Sequence, residues 1–153
     1  TWNQIDRDGT CTFDLQGIDA VLRDITQKYN GESQVYITGF EAGAHLAWAM
    51  AFLHPERLKG AIVVAGNFRN RCLNDNNLSF SNDKHFPIVG VVGAQDTDWA
   101  SGGKLYSQWL EGKKLATQRG YDKKIEKIIP QKGHEPMPKE VLEIIDTFLK
   151  ANK

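Results

Sequence analysis

The sequence predicts an α/β fold, in which a parallel sheet lies between two layers of helices. Uninterrupted apolar runs occur at residues 61–65 and 88–92, and such runs are typical of strands that are buried on both faces. Segments with helical spacing alternate with these runs, which favours parallel strands joined through helices by right-handed crossovers. The 153 residues suffice for one domain with a sizeable core, so we predict a single domain over residues 1–153.

The first predicted helix covers residues 14–29. Asp14 is a candidate N-cap, and Asn30-Gly31 is a typical end for a helix. Its apolar residues have the spacing of one inward face. They are Leu15, Ile18, Val21, Leu22, Ile25 and Tyr29.

A strand and a second helix follow. Residues 35–38 form a short β-rich strand. Residues 42–53 are apolar on nearly every side, as expected of a helix that is buried against a sheet. His54-Pro55 closes this helix, because the residue before a proline disfavours helical backbone.

The second half of the chain repeats the pattern. A weaker strand is predicted at residues 125–129, with helices at residues 103–119 and 139–150. The predicted inward face of the last helix is Val141, Leu142, Ile145, Phe148 and Leu149. Residues 67–86 break the rhythm with an asparagine-rich stretch at the carboxyl end of a strand, where open α/β sheets bind ligands. This stretch is either a substrate-side loop or a plain surface excursion.

Composition excludes several classes of function. Nineteen basic and nineteen acidic residues balance, so no overall field attracts nucleic acid or an anionic membrane. The most apolar stretch, residues 44–53, is too short to span a bilayer. The two cysteines, Cys11 and Cys72, have no metal-site spacing, so we predict neither a metal nor a cofactor. One disulfide is possible, but two unrelated thiols are favoured.

The turn Gly39-Phe40-Glu41-Ala42-Gly43 joins the strand at residues 35–38 to the apolar helix. Two glycines flank its central residue at equal distances, as in the nucleophile turn Gly-X-Ser-X-Gly of hydrolases. In such a turn the central side chain is exposed at the sheet edge. We expect both glycines to be required because neighbouring backbone passes too close for a Cβ atom.

Two further loops carry candidate catalytic residues. Asp96 follows the strand at residues 88–92, and His134 follows the strand at residues 125–129. A carboxylate at a strand's carboxyl end can orient a histidine, and a histidine on the next exit loop can act as a base. The order turn, acid, histidine is that of α/β-hydrolases.

The chain resembles the C-terminal half of an α/β-hydrolase, and it is most similar to the group that contains polyhydroxybutyrate depolymerases, feruloyl esterases and carboxylesterases. The resemblance rests on VYITGFEAGAHLAWAMAFLHPERLKGAIVVAG, PIVGVVGAQDTDWASGGK and KGHEPMPKEVLEIIDTFL, within residues 14–150. It implies Asp96 as the acid, with Asp98 as second choice, and His134 as the base. It also implies an oxyanion-hole N–H on Ala42, a small or polymeric ester as ligand, and a secreted or periplasmic location.

Two departures from that family matter. Glu41 stands where the family has serine, and nothing in the chain matches the family's first strands. We therefore expect a partial α/β-hydrolase fold that lacks the N-terminal strands. The strand at residues 35–38 would lose a neighbour, and bare strand edges invite pairing. We predict that a cleaved N-terminal chain, a second copy or a rebuilt edge covers it.

Glu41 decides between the possible functions. We hypothesise an ion pair between Glu41 and His134 that raises the pKa of His134. A protein so arranged is inactive or strongly impaired as a serine esterase. One alternative is a hydrolase with a carboxylate nucleophile, in which Glu41 forms an ester that water, activated by His134 and Asp96, hydrolyses. Another is a noncatalytic module, on a degenerate hydrolase scaffold, that binds a ligand or a protein. An engineered glutamate or a different activity remains a further possibility.

Overall fold

A computed structural model of the chain describes residues 10–66, 68, 72–73, 86–99 and 103–151. Within these ranges the sheet has four parallel strands, which lie side by side in the order of the chain. Helices cover both faces of the sheet. The predicted three-layer α/β fold is therefore confirmed.

The predicted strands and helices are all present, and the strands are longer than expected. A π-helical turn at Thr10–Asp14 precedes the first helix, and a 3-10 turn at Pro55–Arg57 precedes the second strand. In chain order the elements are α1 (Leu15–Tyr29), β1 (Val35–Phe40), α2 (Ala42–Leu53), β2 (Leu58–Val64), β3 (Ile88–Gly93), α3 (Lys104–Gln118), β4 (Lys124–Ile129) and α4 (Pro138–Ala151).

The described part of the core has two apolar clusters, one on each face of the sheet. Alternation along β2 divides them, because successive side chains of a strand point to opposite faces. Ala61 and Val63 belong to the first cluster, while Ile62 and Val64 belong to the second. Helices α1, α2 and α3 cover the first cluster, and α4 covers the second. The first cluster is rich in aromatic residues, among them Trp48, Phe52, Phe68, Phe86, Trp99, Trp109 and Tyr121.

The ends of α1 follow the prediction at one terminus only. The Asp14 N-cap is wrong, because the backbone of Asp14 is already helical and its side chain caps nothing. The Asn30-Gly31 end is confirmed. Asn30 takes a left-handed conformation with φ of 53°, and the N–H of Gly31 donates to the carbonyl of Ile25 at 3.0 Å.

The predicted inward faces of α1 and α4 are only partly covered. The spacing of apolar residues was interpreted correctly as helical, but periodicity does not show how much of an apolar stripe meets a neighbour. On α1, Leu15 and Leu22 are buried, while Val21, Ile25 and Tyr29 are exposed. On α4, Val141 and Ile144 are buried, Ile145 and Phe148 are half-buried, and Leu142 and Leu149 are exposed.

The expectation of two unrelated thiols is wrong, because Cys72 is disulfide-bonded. The sequence has one other cysteine, Cys11. Cys72 lies in the segment after β2. Sequence alone does not show that Cys72 is bonded, since a disulfide depends on the distance between two remote backbone positions.

The predicted loop at residues 67–86 lies mostly outside the described residues. Three apolar side chains within it are described, and all three are buried in the first cluster: Phe68, Leu73 and Phe86. Whether the segment serves as a substrate-side loop stays a prediction.

The two edges of the sheet differ. Strand β1 pairs with β2, and no strand of the described ranges pairs with its outer edge. Thr38 on β1 is exposed and its neighbours are half-buried. No strand of the described residues rebuilds this edge. Covering of the edge by a cleaved N-terminal chain, a second copy or a rebuilt edge stays a prediction. Strand β4 forms the opposite edge and carries three charged residues, Lys124, Glu126 and Lys127.

Candidate functional site

The first part of the site is the turn from β1 to α2. Glu41 occupies it with φ of 50° and ψ of −109°, a conformation that side chains other than glycine rarely adopt. The turn is tight because α2 begins directly beside β1. A Cβ atom on Gly39 would lie 2.1 Å from the carbonyl carbon of Gly43 and 2.7 Å from the nitrogen of Ala44. Gly39 is therefore required by the approach of backbone, as predicted.

The second flanking glycine does not have the predicted role. A Cβ atom on Gly43 would meet nothing within 4 Å, apart from its own neighbours in the helix. Gly43 lies in the first turn of α2, and its side-chain position faces open space. The prediction that both glycines are needed to avoid a clash is wrong for Gly43.

The second part of the site is formed by the loops that follow β3 and β4. Backbone hydrogen bonds join the two loops. The N–H of Ala94 donates to the carbonyl of Ile129 at 2.9 Å, and the N–H of Gln95 donates to the carbonyl of Lys132 at 2.9 Å. A Cβ atom on Gly93 would lie 2.2 Å from the Lys132 oxygen. Gly93 therefore allows the loop that carries His134 to lie directly on the end of β3.

His134 lies between two carboxylates. Its Nδ1 is 2.8 Å from Oδ2 of Asp96, and its Nε2 is 2.7 Å from Oε1 of Glu41. The side chain of Asp96 is 2% exposed, that of His134 is 35% exposed and that of Glu41 is 53% exposed. The structure thus joins the three residues that the sequence analysis selected, and the expected contact between Glu41 and His134 is present.

The protonation of His134 follows from this arrangement. A neutral imidazole has one N–H, whereas an imidazolium can donate from both nitrogens to two carboxylates. Burial lowers the pKa of His134 and is the largest single influence. The hydrogen bonds to Asp96 and Glu41, together with the charges of both carboxylates, outweigh it, so the pKa of His134 is raised above its ordinary value.

The geometry selects Asp96 over Asp98 as the partner of His134. Oδ1 of Asp96 accepts the backbone N–H of Asp98 at 3.0 Å, which fixes the carboxylate and leaves Oδ2 to face the imidazole. Asp98 itself is exposed. A buried, hydrogen-bonded carboxylate orients a histidine better than a mobile exposed one.

Sequence reasoning missed Phe40. Its ring lies 5.0 Å from the His134 ring, centroid to centroid, with the planes tilted by 52°. Phe40 is half-buried at the end of β1. Its place beside Glu41 was visible in the sequence, but nothing in the sequence shows which ring it contacts across the fold.

Other features of the site are simple. Ala42 begins α2, so its N–H is among those with no partner inside the helix. Nearby, Lys132 and Glu135 form an ion pair at 2.8 Å.

Within the described ranges, no cluster of three or more histidine, cysteine or acidic residues has metal-binding geometry. None of the helices in that same part of the chain is long and apolar enough to cross a membrane.

Comparison with solved structures identifies the fold. The chain matches a Bacillus cereus carboxylesterase with a TM-score of 0.63 and 18% identity, over 92% of this chain and 61% of that one. It matches Arabidopsis thaliana SOBER1 with a TM-score of 0.60 and 21% identity, over 90% and 63%. A metagenomic α/β-hydrolase enzyme from lagoon sediment in Morocco, MGS-MChE2, matches with a TM-score of 0.52 and 12% identity, over 90% and 70%. The chain has the α/β-hydrolase fold.

The α/β-hydrolase fold is partial here, as the sequence predicted. The chain spans about three fifths of the length of the carboxylesterase and of SOBER1. No protein-family model matches the sequence, and no curated protein matches it. The likeness is therefore one of fold, and the part of the α/β-hydrolase fold that is present carries the turn after β1 and the loops after β3 and β4.

Proposed function

We propose that this chain is an α/β-hydrolase-fold protein related to carboxylic-ester hydrolases, in which Glu41 occupies the place of the nucleophilic serine. Glu41, His134 and Asp96 form a hydrogen-bonded set in which both imidazole nitrogens are occupied by carboxylates, and we call this set the closed array. It does not hydrolyse esters by a serine mechanism. The observation that carries this proposal is the pair of contacts on His134, at 2.7 Å to Glu41 and 2.8 Å to Asp96.

The chemistry of a serine hydrolase requires two things that this array lacks. The nucleophile must have a hydroxyl, and a neutral imidazole must remove its proton. Glu41 has no hydroxyl, and its carboxylate favours the protonated form of His134. Loss of the serine alone costs on the order of 10⁶ in turnover in a full triad.

The same array supports ligand binding without turnover. It is supported by the contact of 2.8 Å between Asp96 and His134 and by the N–H of Ala42, which follows the central residue of the turn, where one oxyanion-hole donor is expected. The carboxylate of Glu41 lies at the N-terminus of α2, where the helix dipole stabilises negative charge. We infer that a small or polymeric ester would bind beside Glu41 and remain intact.

The test is Glu41→Ser, assayed with p-nitrophenyl acetate and p-nitrophenyl butyrate. We expect no turnover above background from the wild type and a gain of about 10³-fold in the variant, less than a full triad supplies because one oxyanion donor is expected. Adding His134→Ala should abolish the gain. Glu41→Ala is the matched control, since it removes the carboxylate without supplying a hydroxyl.

Two outcomes would contradict the proposal. Wild-type turnover equal to that of Glu41→Ser would show that Glu41 does not block ester hydrolysis. An inactive Glu41→Ser with an unchanged fold would favour the noncatalytic interaction module on this scaffold.

A hydrolase with a carboxylate nucleophile is the second candidate. It is favoured by the exposure of Glu41, whose side chain is 53% accessible next to His134. A Glu41 oxygen would attack an electrophilic carbon, and the leaving group would depart with the bonding electrons. Water that has given a proton to neutral His134 would then cleave the ester. Incubation of His134→Ala with an alkyl halide should release halide and accumulate an alkyl ester on Glu41, detected by mass spectrometry, and an unmodified protein would reject this candidate.

The disulfide at Cys72 supports a secreted or periplasmic location for this protein. Disulfides persist in oxidising compartments and are rare in the cytosol. A thiol titration of the denatured, unreduced protein checks it. We expect no free thiol, and two free thiols in protein from its native source would contradict the proposed location.

A further inference from the structure

We propose that Phe40 is a positioning residue for His134, and that its ring stabilises the imidazolium between Glu41 and Asp96. This role rests on the proposed closed array of the site. It goes further by assigning a function to a residue outside that array, at the last position of β1.

Apolar packing restrains the side chain of Phe40. Phe40 packs against the first apolar cluster and also against the second one. It therefore lies where the two faces of the core meet at the carboxyl end of the sheet. Because the core restrains it on both sides, its ring is a rigid support rather than a mobile surface group.

The contact with His134 has the range of a cation–π interaction. The ring centroids are 5.0 Å apart, within the ~6 Å over which an aromatic ring attracts a cation. Hydrogen bonds to the two ring nitrogens act in the plane of the imidazole. The Phe40 ring is tilted by 52° to the imidazole, so it adds a contact of another kind to the two hydrogen bonds.

The charged groups that face His134 come from two other elements. Glu41 faces it from the turn after β1, and Asp96 faces it from the loop after β3. On its own loop, Lys132 and Glu135 are paired with each other. A change at Phe40 removes none of these charges, so the effect of the ring on the titration of His134 can be separated from that of the charges themselves.

The experiment is an NMR titration of the His134 imidazole in the full chain. The wild type, Phe40→Leu, Phe40→Tyr and Phe148→Leu are compared. Phe148 is the matched control, because it is a half-buried phenylalanine of the second cluster whose ring stacks on Tyr36. We expect Phe40→Leu to weaken protonation of His134 about threefold in its equilibrium constant. Phe40→Tyr should restore it, and Phe148→Leu should leave it unchanged.

The outcomes separate this inference from the proposed function. A wild-type His134 that titrates at or below the ordinary histidine value would overturn the closed array. A raised wild-type value that is identical in Phe40→Leu would overturn the role of Phe40 alone. An equal change in Phe148→Leu would also overturn it, since the effect would then follow from general loss of packing. Phe40→Met, which keeps volume without an aromatic ring, replaces Phe40→Leu if that variant does not fold.

Discussion

The two sides of the site share a backbone constraint and differ in chemistry. The turn after β1 depends on Gly39, and the paired loops after β3 and β4 depend on Gly93. At each glycine a Cβ atom would overlap backbone at little more than 2 Å. Yet one side presents the carboxylate of Glu41, whereas the other presents the hydrogen-bonded pair of Asp96 and His134. In this site, backbone contacts at the two glycines fix the shape separately from the side chain that stands at the centre of the turn.

The largest effect on stability is expected from Gly39→Ala, which disrupts the turn after β1. Its Cβ would meet the carbonyl carbon and oxygen of Gly43 and the nitrogen of Ala44, which belong to the rigid start of α2. We expect a loss of about 3 kcal/mol in the free energy of unfolding. Urea denaturation measures it.

Gly43→Ala is the control for the first side. It adds a methyl group to open space in the same turn, so stability should stay equal or rise by up to about 1 kcal/mol. Equal losses in the two variants would show that the turn is less tight than its geometry indicates.

A smaller effect on stability is expected from Gly93→Ala, which disrupts the contact between the loops after β3 and β4. The added Cβ would meet the carbonyl oxygens of Lys132 and Gly133, but these belong to a loop that can shift. We expect a loss of about 2 kcal/mol and separation of His134 from Asp96. In that variant the NMR titration of His134 should move towards the ordinary histidine value.

Gly133→Ala serves as the control on the second side, because a Cβ atom there meets nothing within 4 Å. It should leave both stability and the His134 titration close to the wild type. A His134 titration in Gly93→Ala that is unchanged from the wild type would show that the loop contact does not position the imidazole.

The smallest effect on stability is expected at the ion pair of Glu41 and His134, which links the two sides of the site. His134 has a pKa raised above 6.5 in the folded state. The stability from its contacts is thus fully present below pH 6.5 and is lost as the pH rises through the folded value. Glu41→Gln removes one of the two charges. The difference in unfolding free energy between wild type and variant should be below about 1 kcal/mol, since the pair is exposed, and should shrink at alkaline pH. A difference that grows with pH would contradict the pair.

Much of the fold and the site could be predicted from sequence because they rest on local patterns. Apolar runs gave the strands, helical spacing gave the helices, and strand ends gave Glu41, Asp96 and His134. The remainder depends on distances between remote parts of the chain. An added Cβ atom at Gly43 meets no neighbouring atom. Cys72 forms a disulfide. The ring of Phe40 contacts that of His134, which lies 94 residues later in the sequence.

The two edge strands of the sheet differ in how readily a further strand could pair with them. Strand β4 carries alternating charges of both signs, so a further strand laid along it would have to accommodate Lys124, Glu126 and Lys127. Strand β1 has no charged residue, and its outer row of N–H and C=O groups already sets the spacing and orientation for an incoming strand. Only one of the two edges, that of β1, therefore suits pairing with a further strand. A strand designed to extend the sheet should be fitted to Val35–Phe40.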